Sequence, residues 1–196
     1  MSLGSVGLIA LVLIGIYAVI VFNGLVSRRN QFKNAFSQID VQLQRRYELI
    51  PGLIEIAKKY ISHENETLTA VVKARNNASD CCEKAAQHPE DSSLVGALAQ
   101  AEQVLGDAMG KFNVVIEDYP ELKADESLRD LHDQLTSTEN RVAYARQAYS
   151  DSVMRYNTAC EQFPAVIVAK ACGFKEADLF ESANPAVQQP VKVSFA

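Results

Sequence analysis

The sequence predicts an all-α protein: an antiparallel four-helix bundle with an N-terminal single transmembrane helix. Three observations support this prediction: an uncharged apolar run near the N-terminus, apolar residues at helical spacing through most of the remaining chain, and prolines at the expected helix ends. The chain has 196 residues, 48% of them hydrophobic, which suits one domain with an appendage. We expect an anchor at 1–27, a helical bundle at 28–182, and an extended tail at 183–196 whose end alternates apolar and polar residues as a strand does.

The predicted membrane span is the run VGLIALVLIGIYAVIVF, from Val6 to Phe22. Its seventeen residues reach roughly 26 Å, just short of a hydrocarbon core of about 30 Å, and extension through Leu25 and Val26 closes the gap. A cleaved signal peptide is the alternative, but it requires positive charge before the apolar run and a small-residue cleavage site after it, and the sequence has neither. No cysteine precedes Cys81, which excludes lipoprotein processing. We therefore expect the span to be retained.

Charge is distributed unevenly along the chain. Residues 1–27 carry no charged side chain, residues 28–59 carry seven Lys/Arg against three Asp/Glu, and the remainder carries twelve against twenty-one. Arg28, Arg29 and Lys33 directly follow the span, so we expect them to lie at the membrane interface and meet anionic head groups. The positive-inside rule then predicts that the N-terminus is outside and the bundle is cytoplasmic.

The clearest helix of the predicted bundle covers residues 125–163. Large side chains recur there every seven residues, which is typical of a helix packed against neighbours in a bundle. Asp125 offers an N-cap, and Pro164 is expected to end the helix. The recurring large residues are Leu128, Leu135, Val142, Tyr149, Tyr156 and Phe163.

A second helix is predicted over about residues 89–119, with a proline in its first turn. Gly106 and Gly110 each cost this helix about 1 kcal/mol relative to alanine, so we expect them to permit close approach of a neighbouring helix. A short helix follows Pro164 and is expected to end at Gly173.

The stretch IDVQLQRRYELIPGL, at residues 39–53, places a proline inside a helical pattern. The apolar spacing continues unchanged through Pro51, so we expect the proline to kink a helix rather than end it, at a cost of about 3 kcal/mol or more that packing offsets. The chain must still reverse nearby to form a compact bundle. The candidates are Pro51–Gly52 and the polar residues Ser62–Glu66, and we favour the second because it gives helices of comparable length.

Arg45 and Arg46 in the same stretch have two interpretations. They could bind a specific partner, or they could pair with carboxylates of their own bundle, of which residues 117–139 contain many. We favour pairing within the bundle because of the acidic excess there.

The four cysteines have no spacing typical of a metal or disulfide-exchange site. We expect free, mostly buried thiols in a reducing compartment. A redox switch at the adjacent Cys81 and Cys82 is the alternative.

No motif for catalysis, a metal or a cofactor is found in the sequence. His63-Glu64 begins as a zinc-protease motif does, but Thr67 occupies the position of the second histidine. No histidine is preceded at three residues by glutamate, which excludes the pairs of a di-iron bundle site, and no phosphate loop or nucleophile elbow is present. We therefore predict no catalytic residue, no metal and no cofactor, and we expect no nucleic acid as a partner.

Arg29-Asn30 followed by AFSQIDVQLQRRYELIPGLIEIAKKYISHE resembles the N-terminal signature of the LemA family. Three later segments, YPELKADESL, TENRVAYARQAYSDSVMRYN and FPAVIVAKACGF, resemble its other blocks in the same order. The likeness covers the chain from the span to Phe180. Phe36 stands where the family has tryptophan, and Gly52 stands where it has asparagine; the apolar pattern is kept, and Gly52 makes local bending easier.

The resemblance implies a bacterial single-span protein with an antiparallel four-helix bundle and no established reaction. Relatives are encoded beside membrane proteases or envelope-maintenance proteins, and one branch is associated with magnetosome membranes. We therefore expect an interaction or scaffold protein of the bacterial inner membrane, with the lipid bilayer and further copies of itself as partners. The alternatives are an adaptor or regulator of a membrane protease or envelope-maintenance enzyme, and a protein that shapes the membrane through its basic residues.

Overall fold

The computed structural model describes residues 3–61 and 64–180. Within them the chain forms six helices and no strand, so the predicted all-α class is confirmed. The predicted extended tail at 183–196 lies outside the described residues. The helices are α1 (Leu3–Ala57), α2 (Asn65–Gln87), α3 (Ser92–Glu117), α4 (Pro120–Ala124), α5 (Glu126–Glu161) and α6 (Ala165–Ala171).

The apolar run and the IDVQLQRRYELIPGL stretch belong to one helix of 55 residues, α1, which continues through Pro51. Proline has no N–H to bond the carbonyl four residues earlier, which is that of Tyr47. Arg75 of α2 supplies the missing donor, since its Nε lies 3.0 Å from the Tyr47 carbonyl oxygen. The chain instead reverses between Ala57, where α1 ends, and Asn65, where α2 begins, so the reversal does not occur at Pro51–Gly52. The favoured candidate, Ser62–Glu66, overlaps this interval, and its residues 62 and 63 lie outside the described residues.

α1 and α5 pack antiparallel to each other. Aromatic side chains make the contacts near the middle of α1, and an ion pair follows further along it. The contacts occur in opposite order along the two helices: Phe32 with Tyr156 (ring centroids 5.1 Å), Phe36 with Tyr149 (5.6 Å) and Arg46 with Glu139 (3.0 Å).

α2 returns along α1, and α3 packs against α2 as the second arm of a hairpin. A short turn joins the two arms and contains Pro89. The predicted start of the second helix at this proline is wrong: α3 begins at Ser92, because the side chain of Asp91 caps it by accepting a hydrogen bond of 2.9 Å from the backbone N–H of Ser93.

Asp125 caps α5 as predicted, accepting a hydrogen bond of 3.1 Å from the backbone N–H of Leu128.

Burial follows the predicted apolar spacing closely. The apolar residues at helical spacing on both sides of Pro51 are all buried: Phe36, Ile39, Leu43, Ile50, Leu53, Ala57, Ile61, Leu68 and Val71.

Two details of the predicted packing are wrong. Phe163 was expected to continue the buried seam of α5 but is 83% exposed, because α5 ends at Glu161 and the chain turns before reaching it. Gly106 and Gly110 were expected to admit a neighbouring helix. A methyl group on either glycine would meet no neighbouring helix of the described chain within 4 Å, so both glycines open onto the surface.

α6 packs against α1 and α5 and ends before Gly173, whose φ of 72° suits glycine. The chain then runs back along α5 as far as Phe180, which is buried. Tyr156 and Tyr149 tie this segment to α5 by donating hydrogen bonds of 2.8 and 3.1 Å to backbone carbonyls at positions 175 and 178. The end of the described chain is therefore fastened to the helical body.

Candidate functional site

The first part of α1 presents apolar side chains outward on all sides. Large hydrophobic residues from Leu8 to Phe22 are exposed. Within the described residues α1 is the one helix long and apolar enough to cross a membrane. Only 6% of its most apolar 18-residue stretch is buried in the protein. A helix that is hydrophobic all round needs an apolar environment, and a lipid bilayer supplies it.

The protein core begins close to the end of the predicted span. Val21 already packs against it, and Leu25 is 1% exposed. Leu25 was predicted to extend the lipid-facing span, but it instead contacts the protein body. The part of α1 without protein neighbours is therefore shorter than the extended span.

Arg28, Arg29 and Lys33, the predicted membrane-interface residues, lie about two to three turns beyond Phe22 on α1. Lys33 forms an ion pair of 2.9 Å with Glu90, in the turn before α3. The guanidinium Cζ of Arg29 lies 5.3 Å from the centre of the Phe174 ring, within the range of a cation–π contact.

Arg28 lines an open groove of about 450 Å³ between α1 and α5. Arg155 and Asp151 bring a second positive charge and a negative one to its wall, and Met154 adds an apolar surface. The groove combines cationic and apolar groups close to the apolar helix, which is an arrangement suited to the head-group region of a bilayer.

The arginine pair of the IDVQLQRRYELIPGL stretch separates into two environments. Arg45 is exposed, whereas Arg46 is buried and bonds two carboxylates. Its Nη1 lies 3.0 Å from Glu102 Oε2 and its Nη2 lies 3.0 Å from Glu139 Oε1. The prediction of ion pairing within the body is confirmed for Arg46, and Glu139 lies in the acidic region that the sequence indicated.

Glu102 is the centre of this buried polar cluster, with a side chain only 3% exposed. In addition to Arg46, its carboxylate accepts a bond of 2.6 Å from the Tyr47 hydroxyl and one of 3.4 Å from Arg146 Nη2. The cluster thereby connects α1, α3 and α5, while Arg75 connects α2 to the backbone of Tyr47. A buried charge is tolerated only when it is paired and hydrogen-bonded in this way.

Burial shifts the titration of two groups in the cluster. Removal from water raises the pKa of the Tyr47 hydroxyl far above its ordinary value, and the neighbouring Glu102 carboxylate raises it further. Burial also lowers the pKa of Arg146, a shift that the Glu102 carboxylate opposes. The tyrosine therefore remains a neutral hydrogen-bond donor at physiological pH.

Sequence reasoning missed Glu102 and Tyr47, although a signal for Glu102 existed. Glu102 occupies an apolar-phase position of α3, between the buried Leu98 and Leu105. A carboxylate at a core position requires a buried cationic partner, and Arg46 lies on the buried face of α1.

The cysteines are free, and two of the four are buried. Cys82 donates a hydrogen bond of 3.3 Å to Asp40 Oδ1. Burial raises the pKa of the Cys82 thiol, and the Asp40 carboxylate raises it further. A raised pKa disfavours the reactive thiolate. Among the described residues no three His, Cys, Asp or Glu side chains are grouped so as to hold a metal ion.

Taken together, the fold and this site define a membrane-associated helical protein: one apolar helix, continuous with a helical body that is closed around a buried ion cluster. The chain belongs to the LemA family, whose pattern matches residues 35–195. The resemblance found in the sequence is thus confirmed.

Similar proteins include two from Paramagnetospirillum magneticum, magnetosome protein MamQ 1 and magnetosome protein MamQ 2. Each is 24% identical over 205 aligned residues, which cover 93% of this chain and 75% of the relative. Magnetosome protein MamQ of Magnetospirillum gryphiswaldense is 22% identical over 185 residues, covering 87% of this chain and 68% of the relative. The similarity therefore extends over most of both chains.

Proposed function

We propose that this protein is a single-pass scaffold of the bacterial inner membrane, in which α1 holds a cytoplasmic helical body at the bilayer. The observation that carries the proposal is the continuity of α1, from an exposed apolar part to a part at the centre of the core. A continuous helix transmits orientation because no loop separates its apolar part from its buried part. The body would therefore stand at a defined angle to the membrane and offer its outer faces to partners.

We further infer that α1, α2, α3 and α5 form one antiparallel four-helix bundle around the buried polar cluster. The opposite order of contacts along α1 and α5 supports this arrangement, as does the return of α2 along α1. Glu102 supports it further, since one carboxylate on α3 bonds residues of both α1 and α5.

Relatives named for the magnetosome favour a role at a membrane. The basic residues after the span favour an orientation with the N-terminus outside. The proposal assigns no reaction, cofactor or nucleic acid to the protein.

A matched pair of substitutions on α1 tests the anchor. Val12 and Val41 lie on the same helix and are 51% and 58% exposed, but only Val12 belongs to the apolar part. We expect Val12→Lys to raise the free energy of membrane insertion by about 3–4 kcal/mol. Val41→Lys should leave the fraction of protein in carbonate-washed membranes unchanged. Equal behaviour of the two variants would refute the anchor, and a C-terminal reporter fusion would test the orientation.

Self-assembly is the scaffold activity that we favour. The outer face of α3 supports it, because Val104 and Val114 are exposed and the surface glycines of this helix would allow a second helix to approach. We expect the protein in native nanodiscs to have a mass greater than that of one copy, and Val114→Glu to reduce it.

Tyr144→Glu is the control for this experiment, since Tyr144 is 75% exposed, compared with 63% for Val114, but lies on α5. A wild-type protein that is monomeric by both nanodisc mass and in-membrane crosslinking would refute self-assembly. Recovery of a membrane protease or envelope protein in the same crosslinks would favour the adaptor alternative instead.

A further inference from the structure

We propose that residues 162–174, the turn after α5 together with α6, form a lip that lies in the interfacial layer of the membrane. The lip would present Phe163 and Ile167 to the lipid as a second contact beside the span. The inference rests on the proposed membrane anchor and names an element of the body that meets the bilayer.

The first step is the position at which the protein body begins along α1. Protein packing begins at Val21, directly after the exposed apolar residues that end at Ile20. No loop and no charged side chain separates the two parts, because the helix is continuous and Arg28 is its first charged residue. With the apolar part in the bilayer, as proposed above, this end of the body stands at the membrane interface.

The second step identifies what lies at this end of the body. The Phe174 ring contacts the ring of Phe22, the last residue of the predicted span, with centroids 5.5 Å apart. Tyr156 faces Phe32, and α5 ends at Glu161, five residues and roughly 7.5 Å further in the direction of the apolar part of α1. Phe163 follows in the turn directly after this helix end. This places Phe163 at about the level where α1 leaves the body.

The third step is the chemistry of the lip. Phe163 is 83% and Ile167 is 61% exposed, although both are large apolar side chains that would gain from leaving water. Lys170, on the same short helix, is exposed and brings a positive charge. An apolar surface bordered by lysine or arginine is typical of elements that insert into the head-group layer.

Continuity with the span favours lipid over a protein as the occupant of this surface. α6 packs directly on α1, and Arg29 lies over the same Phe174 ring that contacts Phe22. The apolar patch and the membrane helix thus share one end of the molecule. A protein covering the lip would have to lie in the interface as well.

The chain contains no tryptophan, so single-tryptophan variants report on chosen sites without background. Phe163→Trp and Ile167→Trp replace exposed side chains and disturb no packed residue. The full-length variants would be reconstituted into vesicles containing lipids brominated high on the acyl chain. We expect their emission to fall about twofold relative to unbrominated vesicles, with little quenching by aqueous acrylamide.

Two further variants provide the controls. Tyr17→Trp lies within the span and is expected to be quenched by bromolipid, whereas Tyr144→Trp lies on the outer surface of α5 and is expected to be quenched by acrylamide alone. Bromolipid quenching of Tyr17→Trp without quenching at positions 163 and 167 would overturn the lip and leave the anchor intact. Shielding of Phe163→Trp from both quenchers would show a protein partner there and also overturn it. No quenching of Tyr17→Trp would refute the anchor and the lip together.

Discussion

The two parts of α1 are the same helix in opposite surroundings. Up to Ile20 its apolar side chains point outward on every side, whereas from Leu25 onward an apolar stripe is buried against α2 and α5 and the opposite face is polar. No break in the backbone separates them. The difference teaches that side-chain pattern, rather than helix formation, assigns each part to its environment.

The buried part of α1 carries charged side chains, whereas the apolar part carries none. Arg46 is accommodated there because carboxylates of two other helices surround it. We therefore expect substitutions in the buried part of α1 to change the stability of the body, and substitutions of exposed residues to leave it unchanged.

The largest effect is expected for Arg46→Met, which leaves the buried Glu102 carboxylate without its shortest cationic contact. Removal of one member of a buried ion pair costs about 3–5 kcal/mol in the free energy of unfolding. Arg45→Met is the matched control, because Arg45 is exposed and such changes stay within about 0.5 kcal/mol. Urea unfolding in detergent micelles, followed by near-ultraviolet circular dichroism of the tyrosines, measures the difference. Equal midpoints would show that the cluster does not stabilise the body.

A smaller effect is expected for Ile39→Ala, and it separates the two halves of α1 most directly. Ile39 is fully buried, so the lost methyl groups and the resulting cavity should lower the free energy of unfolding by about 2–5 kcal/mol. Ile14→Ala makes the same change in the exposed half and should leave the unfolding of the body unchanged. A loss of stability in Ile14→Ala would mean that the apolar half packs against the body after all.

The smallest effect is expected at the end of the body furthest from the membrane, for Asp125→Ala. Hydrogen bonds from the backbone N–H of Leu128 and from the Tyr60 hydroxyl hold the pKa of Asp125 below its ordinary value. A lowered pKa contributes stability above the unfolded pKa of about 3.9, and this contribution is lost as pH falls through the folded value.

The difference in unfolding midpoint between wild type and Asp125→Ala should therefore be full at neutral pH and shrink below about pH 4. Tyr60→Phe removes only one of the two donors and should have a smaller effect of the same pH dependence. A difference that persists unchanged in acid would indicate that the carboxylate charge has no part in capping α5.

Periodicity was a good guide to the long helices, since it does not depend on which elements become neighbours. Asp125 was correctly predicted as the cap of α5, and five of the six large residues at seven-residue spacing are buried. The spacing failed at Phe163, because the end of α5 depends on where the chain must turn to place α6 against α1. The expectation that Gly106 and Gly110 admit a neighbouring helix was also wrong. Glycine permits a close approach but does not determine whether another helix packs there.

The sequence by itself determined the helical class, the apolar first part of α1 and the continuity of α1 through Pro51, because each follows from local composition and from a 3.6-residue period. The order of the motifs in the sequence also identified the protein family. Only the tertiary structure decided that Arg46 is buried while Arg45 is exposed, and that Arg75 supplies the donor that Pro51 cannot. These outcomes depend on contacts between residues far apart in the chain, and local periodicity contains no information about such distances.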